Sequence, residues 1–314
     1  MITTISTTHI ASIVQSHLST VASELRPDIF AALQAAHQLE TCPQATKTLG
    51  QIIENAQLAA KTGVPLCQDT GTVWVLIEAG ARAQVNLTGL QDALDAVVAN
   101  SFNAAHLRAS TVYDALNNRS NPGTNVPAFV EYVQYNARGD VSDFEVRIHT
   151  MLKGAGSDNA SSVAMLPPGS DEEREETITN HVLDLVRKAG STACPPLVIG
   201  IGVGGTFDKV AGLSKRALLY PLSASEVAPA RNEMTMRLEG KILEKVNELD
   251  IGPAGLGGDI TALAVHIETA PCHIASLPVA VNLSCHALRS RSTALTTWTP
   301  PSQQPLQPPA PPSL

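Results

Sequence analysis

Helix-like and strand-like segments alternate along this chain of 314 residues, with glycine- or proline-rich loops between them. Apolar residues recur every three to four positions over residues 5–39 and again over Ala45–Lys61, which predicts two helices within a helical N-terminal part, residues 1–63. Short β-branched runs then follow, such as Thr72–Glu78 and Leu197–Ile201, and they predict strands with helices between them. We therefore expect an α/β fold of the mixed α+β kind, with a helical start and interleaved strands and helices after it.

The C-terminal segment has a different composition. Seven of the 21 prolines fall within residues 300–312, where glutamine and serine separate them. Segments of this kind adopt extended polyproline II conformations or remain disordered. We expect one domain over residues 1–290 and a disordered Pro/Gln-rich tail over residues 291–314.

Composition and charge disfavour several classes of protein. The net charge of −8 argues against binding to nucleic acid, which requires a basic surface. The chain contains no run of 18 apolar residues, so we expect no membrane span. The N-terminus lacks the basic segment and long apolar run of a secretory signal, and we expect a cytoplasmic protein.

Three of the five cysteines lie in loops at the ends of predicted strands. Cys67 and Cys194 precede strands, and Cys285 follows one. Their separations are too long for a zinc finger or a bacterial-ferredoxin motif and suit a site that a whole domain assembles. The alternative is that these thiols are small buried apolar groups. Cys42 and Cys272 have less distinctive surroundings, and we interpret them as incidental.

Polar residues beside these loops are further candidates for chemistry. Gln68 and Asp69 follow Cys67 on one polar loop. Asp69 alone would also be explained as a residue that satisfies a turn. His273 stands just before a predicted strand, where a side chain is well placed for chemistry.

A glycine motif gives an alternative of another class. Gly200–Gly205 follows a predicted strand as G-x-G-x-x-G, and Glu226 lies about twenty residues further on. This pattern is typical of a dinucleotide-binding loop and would support an NAD-binding oxidoreductase. Phe207, Asp208 and Gly212 interrupt the helix that such a loop should open, so the motif is weak.

Five short motifs occur along the chain in a fixed order. They are CQDTGT (Cys67–Thr72), KGAGS (Lys153–Ser157), ACPP (Ala193–Pro196) with VGG, GPAGLGG (Gly252–Gly258) and HIASLPVAVNLSC (His273–Cys285). Together they resemble the α part of the iron–sulfur hydro-lyases, the class I fumarases and L(+)-tartrate dehydratases, over about residues 5–290. The QDTGT and KGAGS motifs are more similar to the fumarase-type α subunits.

The resemblance implies a [4Fe–4S] cluster held by Cys67, Cys194 and Cys285. Three protein ligands would leave one iron open to act as a Lewis acid on the substrate hydroxyl. The implied activity is the reversible hydration and dehydration of a dicarboxylate, of the fumarate-to-malate type. The resemblance leaves the dicarboxylate open, so an L(+)-tartrate dehydratase or mesaconase α subunit is the alternative.

The resemblance also implies roles for residues around the cluster. Asp69 and His273 would be catalytic residues that handle or orient protons. Arg108, in HLRAS, would hold a substrate carboxylate through its guanidinium, although a surface arginine at a helix end is the alternative. The residues implied in substrate binding are Gln68, Arg108, Lys153, Gly154 and Gly156.

The chain departs from the family at its C-terminal end. Single-chain members continue into a second, β domain with further acid/base and arginine residues, whereas this chain continues into the Pro/Gln-rich tail. We therefore expect a separate β subunit and a hetero-oligomer. The alternatives are a truncated or degenerate copy, or a non-catalytic partner whose cysteines are core residues.

Overall fold

The computed structural model describes residues 3–135, 142–222 and 232–297. Helices and strands are interleaved along these ranges, which confirms the predicted α/β fold class. The helices are α1 (Thr7–Val21), α2 (Pro27–Leu39), α3 (Pro43–Thr62), α4 (Leu90–Ala104), α5 (Ala155–Asn159), α6 (Asp171–Ala189), α7 (Val210–Ala217) and α8 (Glu233–Asn247). The strands are β1 (Thr72–Gly80), β2 (Phe129–Tyr135), β3 (Glu145–Lys153), β4 (Ser162–Leu166), β5 (Leu197–Gly205), β6 (Ala262–Cys272), β7 (Leu277–Ser284) and β8 (Arg289–Thr296).

The helical N-terminal part contains three helices where two were predicted. Ser6 accepts a hydrogen bond from the backbone N–H of His9 and begins α1, and Pro27 occupies the first turn of α2. Proline lacks the N–H that a helix interior needs but fits a first turn, so one helix ends at Val21 and another begins at Pro27. The segment predicted as one helix over residues 5–39 is therefore two. No helix in the described ranges is long and apolar enough to cross a membrane.

The strands form two four-stranded mixed sheets. The first has the order β2-β1-β3-β8, with β1 parallel to β2 and antiparallel to β3. The second has the order β4-β7-β5-β6, with β5 parallel to β6 and antiparallel to β7. Because β8 pairs with β3, the predicted start of the tail at residue 291 is corrected: residues 291–296 belong to a strand. Residues 298–314 lie outside the described residues, as does Glu226 of the glycine motif.

The hydrophobic core lies on both faces of each sheet. Val73 and Val75 of β1 pack against α1 and α4, whereas Trp74 and Leu76 face the opposite way, as alternation along a strand requires. That second face shares a core with α2, α3 and Val198 of the second sheet. Helices α6 and α8 cover the other face of the second sheet. The two sheets therefore share one core between them and carry helices on their outer faces.

One end of the two sheets collects the loops that carry the predicted site. In the first sheet β1 begins and β3 ends here, because Thr72 pairs with Lys153. In the second sheet β5 begins and β7 ends at the corresponding end, because Val198 pairs with Ser284. Residues 285–288 lead directly from β7 into β8 and so connect the two sheets at this point. We call this place the cysteine end.

Candidate functional site

The three cysteines of the predicted cluster site meet at the cysteine end. Cys67 lies in the loop before β1, Cys194 lies before β5, and Cys285 directly follows β7. All three are free thiols. The pKa of the Cys194 thiol is raised, first by partial desolvation and then by electrostatic interaction with the nearby Cys285, Cys67 and Asp69 side chains. Such mutual influence requires the three thiols and Asp69 to lie close to one another.

The backbone of Cys194 is held in an unusual conformation. Its φ of 56° lies in the left-handed region, which residues other than glycine rarely adopt. Its carbonyl oxygen accepts two hydrogen bonds from His286, one from the backbone N–H at 3.2 Å and one from Nδ1 at 3.0 Å. Because a carbonyl oxygen only accepts, Nδ1 of His286 carries a proton. These bonds tie the loop of Cys194 to the residue after Cys285, and so fix two of the thiol-bearing loops relative to each other.

Asp69 contacts three other segments of the cysteine end. Its Oδ2 accepts from the backbone N–H of Ala155 at 2.9 Å, and its Oδ1 lies 3.4 Å from the hydroxyl of Ser110. Its backbone carbonyl accepts from Nη2 of Arg289 at 2.9 Å. A Cβ atom at Gly154 would lie 3.1 Å from Oδ2, so the absence of a side chain there lets the carboxylate approach the KGAGS loop. The predicted site residues Asp69 and Gly154 are therefore direct neighbours.

A buried asparagine, which the sequence did not single out, fixes the loop that carries Arg108. Asn125 is fully buried. Its Oδ1 accepts from the backbone N–H groups of Ser110 at 2.6 Å and Thr111 at 3.3 Å, and its Nδ2 donates to the carbonyl of Gly71 at 3.1 Å. The amide thus joins the loop after α4 to the CQDTGT loop. Arg108 itself is exposed, and its guanidinium has no partner among the described residues.

Lys153 is a buried residue of the site. Only 2% of it is exposed, and its ammonium group donates to the hydroxyl of Ser157 at 2.9 Å and to the carbonyl of Leu283. Burial lowers its pKa to about 8, against the opposing effect of negative charge on Asp158 and Cys285. The lysine therefore ties the KGAGS loop to β7, and its contact with substrate stays a prediction.

The remaining predicted substrate contacts lie on the same loops. Gln68 is exposed, and its Oε1 is 3.7 Å from Sγ of Cys67. Gly156 lies in α5, where an added Cβ atom would be 3.5 Å from the carbonyl oxygen of Thr192. Gly156 is thus close to the loop that leads to Cys194. The structure brings all the predicted substrate-binding residues to the loops of the cysteine end.

His273 lies at the opposite end of the second sheet. It precedes β7, whereas Cys285 follows that strand. A strand of eight residues spans about 25 Å, so a single chain keeps His273 away from the three thiols. Its Nδ1 accepts from the backbone N–H of Ala275 at 3.1 Å within an exposed turn. Cys272 lies on the same side, with Sγ 3.3 Å from the carbonyl oxygen of Ser276, and is therefore remote from the thiols at the cysteine end.

The glycines of the dinucleotide-like motif lie inside a strand. Gly200–Gly205 belongs to β5 and not to a loop between a strand and a helix. A Cβ atom at Gly200 would lie 2.2 Å from the carbonyl oxygen of Ser214, and one at Gly202 would lie 2.4 Å from that of Val210. Glycine at these positions therefore allows α7 to pack directly on β5. This packing accounts for the pattern without a nucleotide.

Arg289, which no motif in the sequence singles out, has the largest fully buried side chain among the described residues. It is the first residue of β8, where it pairs with Leu152 of β3, and only 1% of it is exposed. Its Nη2 donates to the carbonyl of Asp69, but its Nε and Nη1 have no hydrogen-bond partner in the described part of the chain. The only signal in the sequence is its position four residues after Cys285.

A cavity of about 520 Å³ lies away from the cysteine end, between α1, the start of α2 and the first sheet. Polar contacts occupy part of its lining, including the ion pair of Arg26 with Asp28 at 2.6 Å and a contact of 2.9 Å between Nε2 of His149 and a carboxylate oxygen of Glu78. None of the predicted site residues lines this cavity. It is therefore separate from the candidate site.

Comparison with known proteins assigns the chain to a family. The sequence model of the family described as Fumarate hydratase (Fumerase) matches residues 11–294, and the chain belongs to this family of hydro-lyases. A protein of Methanocaldococcus jannaschii, provisionally named L(+)-tartrate dehydratase subunit alpha, is 38% identical over 89% of this chain and 95% of its own length. The L(+)-tartrate dehydratase alpha subunits of Escherichia coli strain K12 and Shigella boydii serotype 4 are each 29% identical, over 91% of this chain and 90% of their own length.

These matches confirm the resemblance that the five motifs indicated, and they confirm the hydro-lyase class. They fit a fumarase-type and a tartrate dehydratase-type α subunit equally, because the family description names one and the relatives' names give the other. The greater similarity of two motifs to fumarase-type subunits therefore does not decide between them.

Proposed function

We propose that this chain is the α subunit of a [4Fe–4S]-dependent hydro-lyase that interconverts a 2-hydroxy dicarboxylate and its unsaturated partner. The observation that carries the proposal is the meeting of Cys67, Cys194 and Cys285, three free thiols on three separate loops, at one end of the sheets. Membership of the fumarate hydratase family supports the reaction class.

The donor set at the cysteine end fits an iron–sulfur cluster. Thiolates are the usual protein ligands of such clusters. No group of three or more His, Cys, Asp and Glu side chains in the described ranges has the close spacing of a single-ion site, and a four-iron cluster is wider than one ion. Binding of iron would displace the thiol protons, because only the deprotonated sulfur is a metal ligand. The bound cluster would supply an open iron as a Lewis acid for the substrate hydroxyl and an adjacent carboxylate.

Proton transfer is the part of the reaction that we propose for Asp69. Dehydration removes a proton from the carbon next to the one that carries the hydroxyl, and hydration returns it. Oδ2 of Asp69 is oriented by the N–H of Ala155, whereas Oδ1 has only a long contact of 3.4 Å to the Ser110 hydroxyl. Oδ1 is therefore the oxygen that we propose to take the proton or to orient the group that does. A positioned acid/base of this kind contributes roughly 10²–10⁴-fold to a rate.

Substrate carboxylates are the proposed ligands of the cations and amides around Asp69. Arg108 presents an exposed guanidinium without a partner among the described residues, and such a group binds a carboxylate through two parallel hydrogen bonds. Gln68 and the backbone of Gly154–Gly156 are proposed as further donors. Lys153 is proposed to act mainly through its charge, because its ammonium group already donates to two protein oxygens.

The proposed role of His273 requires a second chain. Within one chain the length of β7 separates this histidine from the thiols. Its exposed turn would have to approach the cysteine end of another copy. Mixing an inactive Cys67→Ser chain with an inactive His273→Ala chain tests this, because mixed assemblies would regain activity. Failure of the mixture to regain activity would remove His273 from the site.

A separate β subunit and a small dicarboxylate are the proposed partners. The relatives are named alpha subunits of L(+)-tartrate dehydratase, which supports both a second subunit and a hydroxy-dicarboxylate substrate. We propose the cytoplasm as the compartment, because all five cysteines are free thiols.

Turnover of dicarboxylates tests the proposed function. The chain, reconstituted anaerobically with iron and sulfide, is assayed alone and with a β subunit of the same family, using fumarate, mesaconate, L-malate and L(+)-tartrate. Formation or loss of the conjugated double bond is followed by ultraviolet absorbance. We expect turnover of at least one pair. Asp69→Asn should lower kcat by 10²-fold or more.

Arg108→Gln should raise KM for the same substrate, because it removes the proposed carboxylate contact. Arg119→Gln is the matched control, since Arg119 is also exposed and lies further along the same connection between α4 and β2. Absence of turnover in every combination would contradict the function. Wild-type constants for Asp69→Asn and Arg108→Gln would contradict the assigned residues.

A further inference from the structure

Arg289 carries a charge that the described residues do not neutralise. A guanidinium stays protonated at any pH at which proteins fold. Arg289 is 1% exposed, and its one hydrogen bond within the described part of the chain goes to a neutral acceptor, the carbonyl of Asp69. Its Nε and Nη1 have no partner in the described ranges. A buried charge without a partner is unfavourable, so an anion bound at this guanidinium would stabilise the native protein.

Among the described residues no carboxylate is paired with the Arg289 guanidinium, although Oδ2 of Asp69 and Nη2 of Arg289 lie 3.1 and 3.7 Å from the same Cβ position at Gly154. Burial lowers the pKa of Lys153 to about 8, and the positive charge of Arg289 adds to this shift. The carboxylate of Asp69 faces the N–H of Ala155 and the Ser110 hydroxyl instead. The described carboxylates therefore do not satisfy the buried guanidinium.

The loops that touch this region are those of the three thiols. Arg289 follows Cys285 by four residues and binds the carbonyl of Asp69, which lies two residues after Cys67. His286, three residues before Arg289, holds the carbonyl of Cys194. The guanidinium is thus connected to each thiol-bearing loop, and thiolates that bind a cluster are the anions this position can receive.

We propose that Arg289 is a positioning residue of the cluster site. It holds the CQDTGT loop through the Asp69 carbonyl, and its two unpaired donors compensate the negative charge of the thiolates that ligate the cluster. This inference rests on the proposed function. Hydrogen bonds and charge near the sulfur atoms are among the factors that set the potential of such clusters. Removal of the positive charge therefore disfavours the reduced, more negative cluster.

The test compares Arg289→Gln and Arg289→Lys with Arg291→Gln in the reconstituted full chain. Arg291 lies two residues along the same strand, but it is exposed and donates to Thr20. We measure the cluster reduction potential, the rate of iron release to a chelator, and the thermal midpoints of the apo and reconstituted proteins. We expect Arg289→Gln to shift the potential to more negative values and to release iron about 10–100-fold faster.

The two forms of the protein should respond differently to the substitution. Apo Arg289→Gln should keep or exceed the wild-type midpoint, since it loses an uncompensated charge, while the reconstituted form becomes less stable. Arg289→Lys should release iron several-fold faster than wild type, because one ammonium group cannot replace both free guanidinium donors. Arg291→Gln should match the wild type in every measurement.

Two outcomes would overturn the inference while leaving the proposed function intact. An unchanged potential with equal losses of stability in the apo and reconstituted forms would reduce Arg289 to its bond with the Asp69 carbonyl. Wild-type iron release in Arg289→Lys would contradict the role of the two free donors. If the wild-type chain itself takes up no iron and sulfide, the proposed function fails and the inference fails with it.

Discussion

Replacement of Asn125 by alanine removes the buried amide that joins two loops of the candidate site. In the folded chain this amide makes three hydrogen bonds, with the N–H groups of Ser110 and Thr111 and the carbonyl of Gly71, at 2.6, 3.3 and 3.1 Å. The variant leaves the Ser110 N–H and the Gly71 carbonyl, which make the two shorter bonds, without a partner, and each loss costs about 1–2 kcal/mol. The φ of 58° adds about 1 kcal/mol, because alanine tolerates the left-handed region less well than asparagine. We therefore expect a loss of about 4 kcal/mol.

Urea unfolding followed by circular dichroism measures this loss. A change of about 4 kcal/mol is a large share of the 5–15 kcal/mol that stabilises a typical domain. Asn121→Ala is the matched control, since Asn121 lies in the same connection and makes two bonds of 2.7 Å but is exposed. Water replaces those bonds, so its loss should stay below about 1 kcal/mol. Equal losses in the two variants would refute the argument from burial.

Three further predictions concern the site, the pH dependence and a helix cap. Gly154→Ala places a methyl group 3.1 Å from Oδ2 of Asp69 and should lower kcat by about 10-fold or more in a steady-state assay. Gly240→Ala is the control and should leave kcat unchanged, because the added methyl group meets nothing within 4 Å. Burial lowers the pKa of His17 to about 4. Between about pH 6.5 and 4 the folded chain therefore binds fewer protons than the unfolded chain. The free energy of unfolding should fall by up to about 3 kcal/mol as the pH drops through this window. In urea titrations at several pH values, His17→Gln should flatten this dependence. Ser170→Ala removes the N-cap of α6 and should lower stability by about 1 kcal/mol, seen as a lower thermal midpoint.

The sequence predicted the thiol-bearing loops well because their signals are local. Cys67, Cys194 and Cys285 each adjoin a short apolar run, and a strand followed or preceded by a loop is recognisable from a few residues. The fold class follows from the same alternation. Strand β8 was missed because its residues Arg289–Thr296 are mostly polar and give no apolar pattern.

The positions of supporting residues could not be predicted, because they depend on contacts between distant segments. Asn125 stands in a turn-rich segment where asparagine is ordinary, and only the fold shows that it is buried and bonded to two loops. The catalytic role of His273 stays a prediction, and its position also depends on the fold. It flanks the same strand as Cys285, but the two residues stand at opposite ends of that strand, so closeness in sequence did not bring them together.

Iron and acid-labile sulfide per chain, measured after anaerobic reconstitution, test the central claim most directly. The account predicts about four of each in the wild type. Cys42→Ser and Cys272→Ser should keep this content, since Cys42 precedes α3 and Cys272 ends β6 at the far side of the second sheet. Cys67→Ser, Cys194→Ser and Cys285→Ser should each lose most of it. Full iron and sulfide in these three variants, or the same loss in all five, would contradict the account.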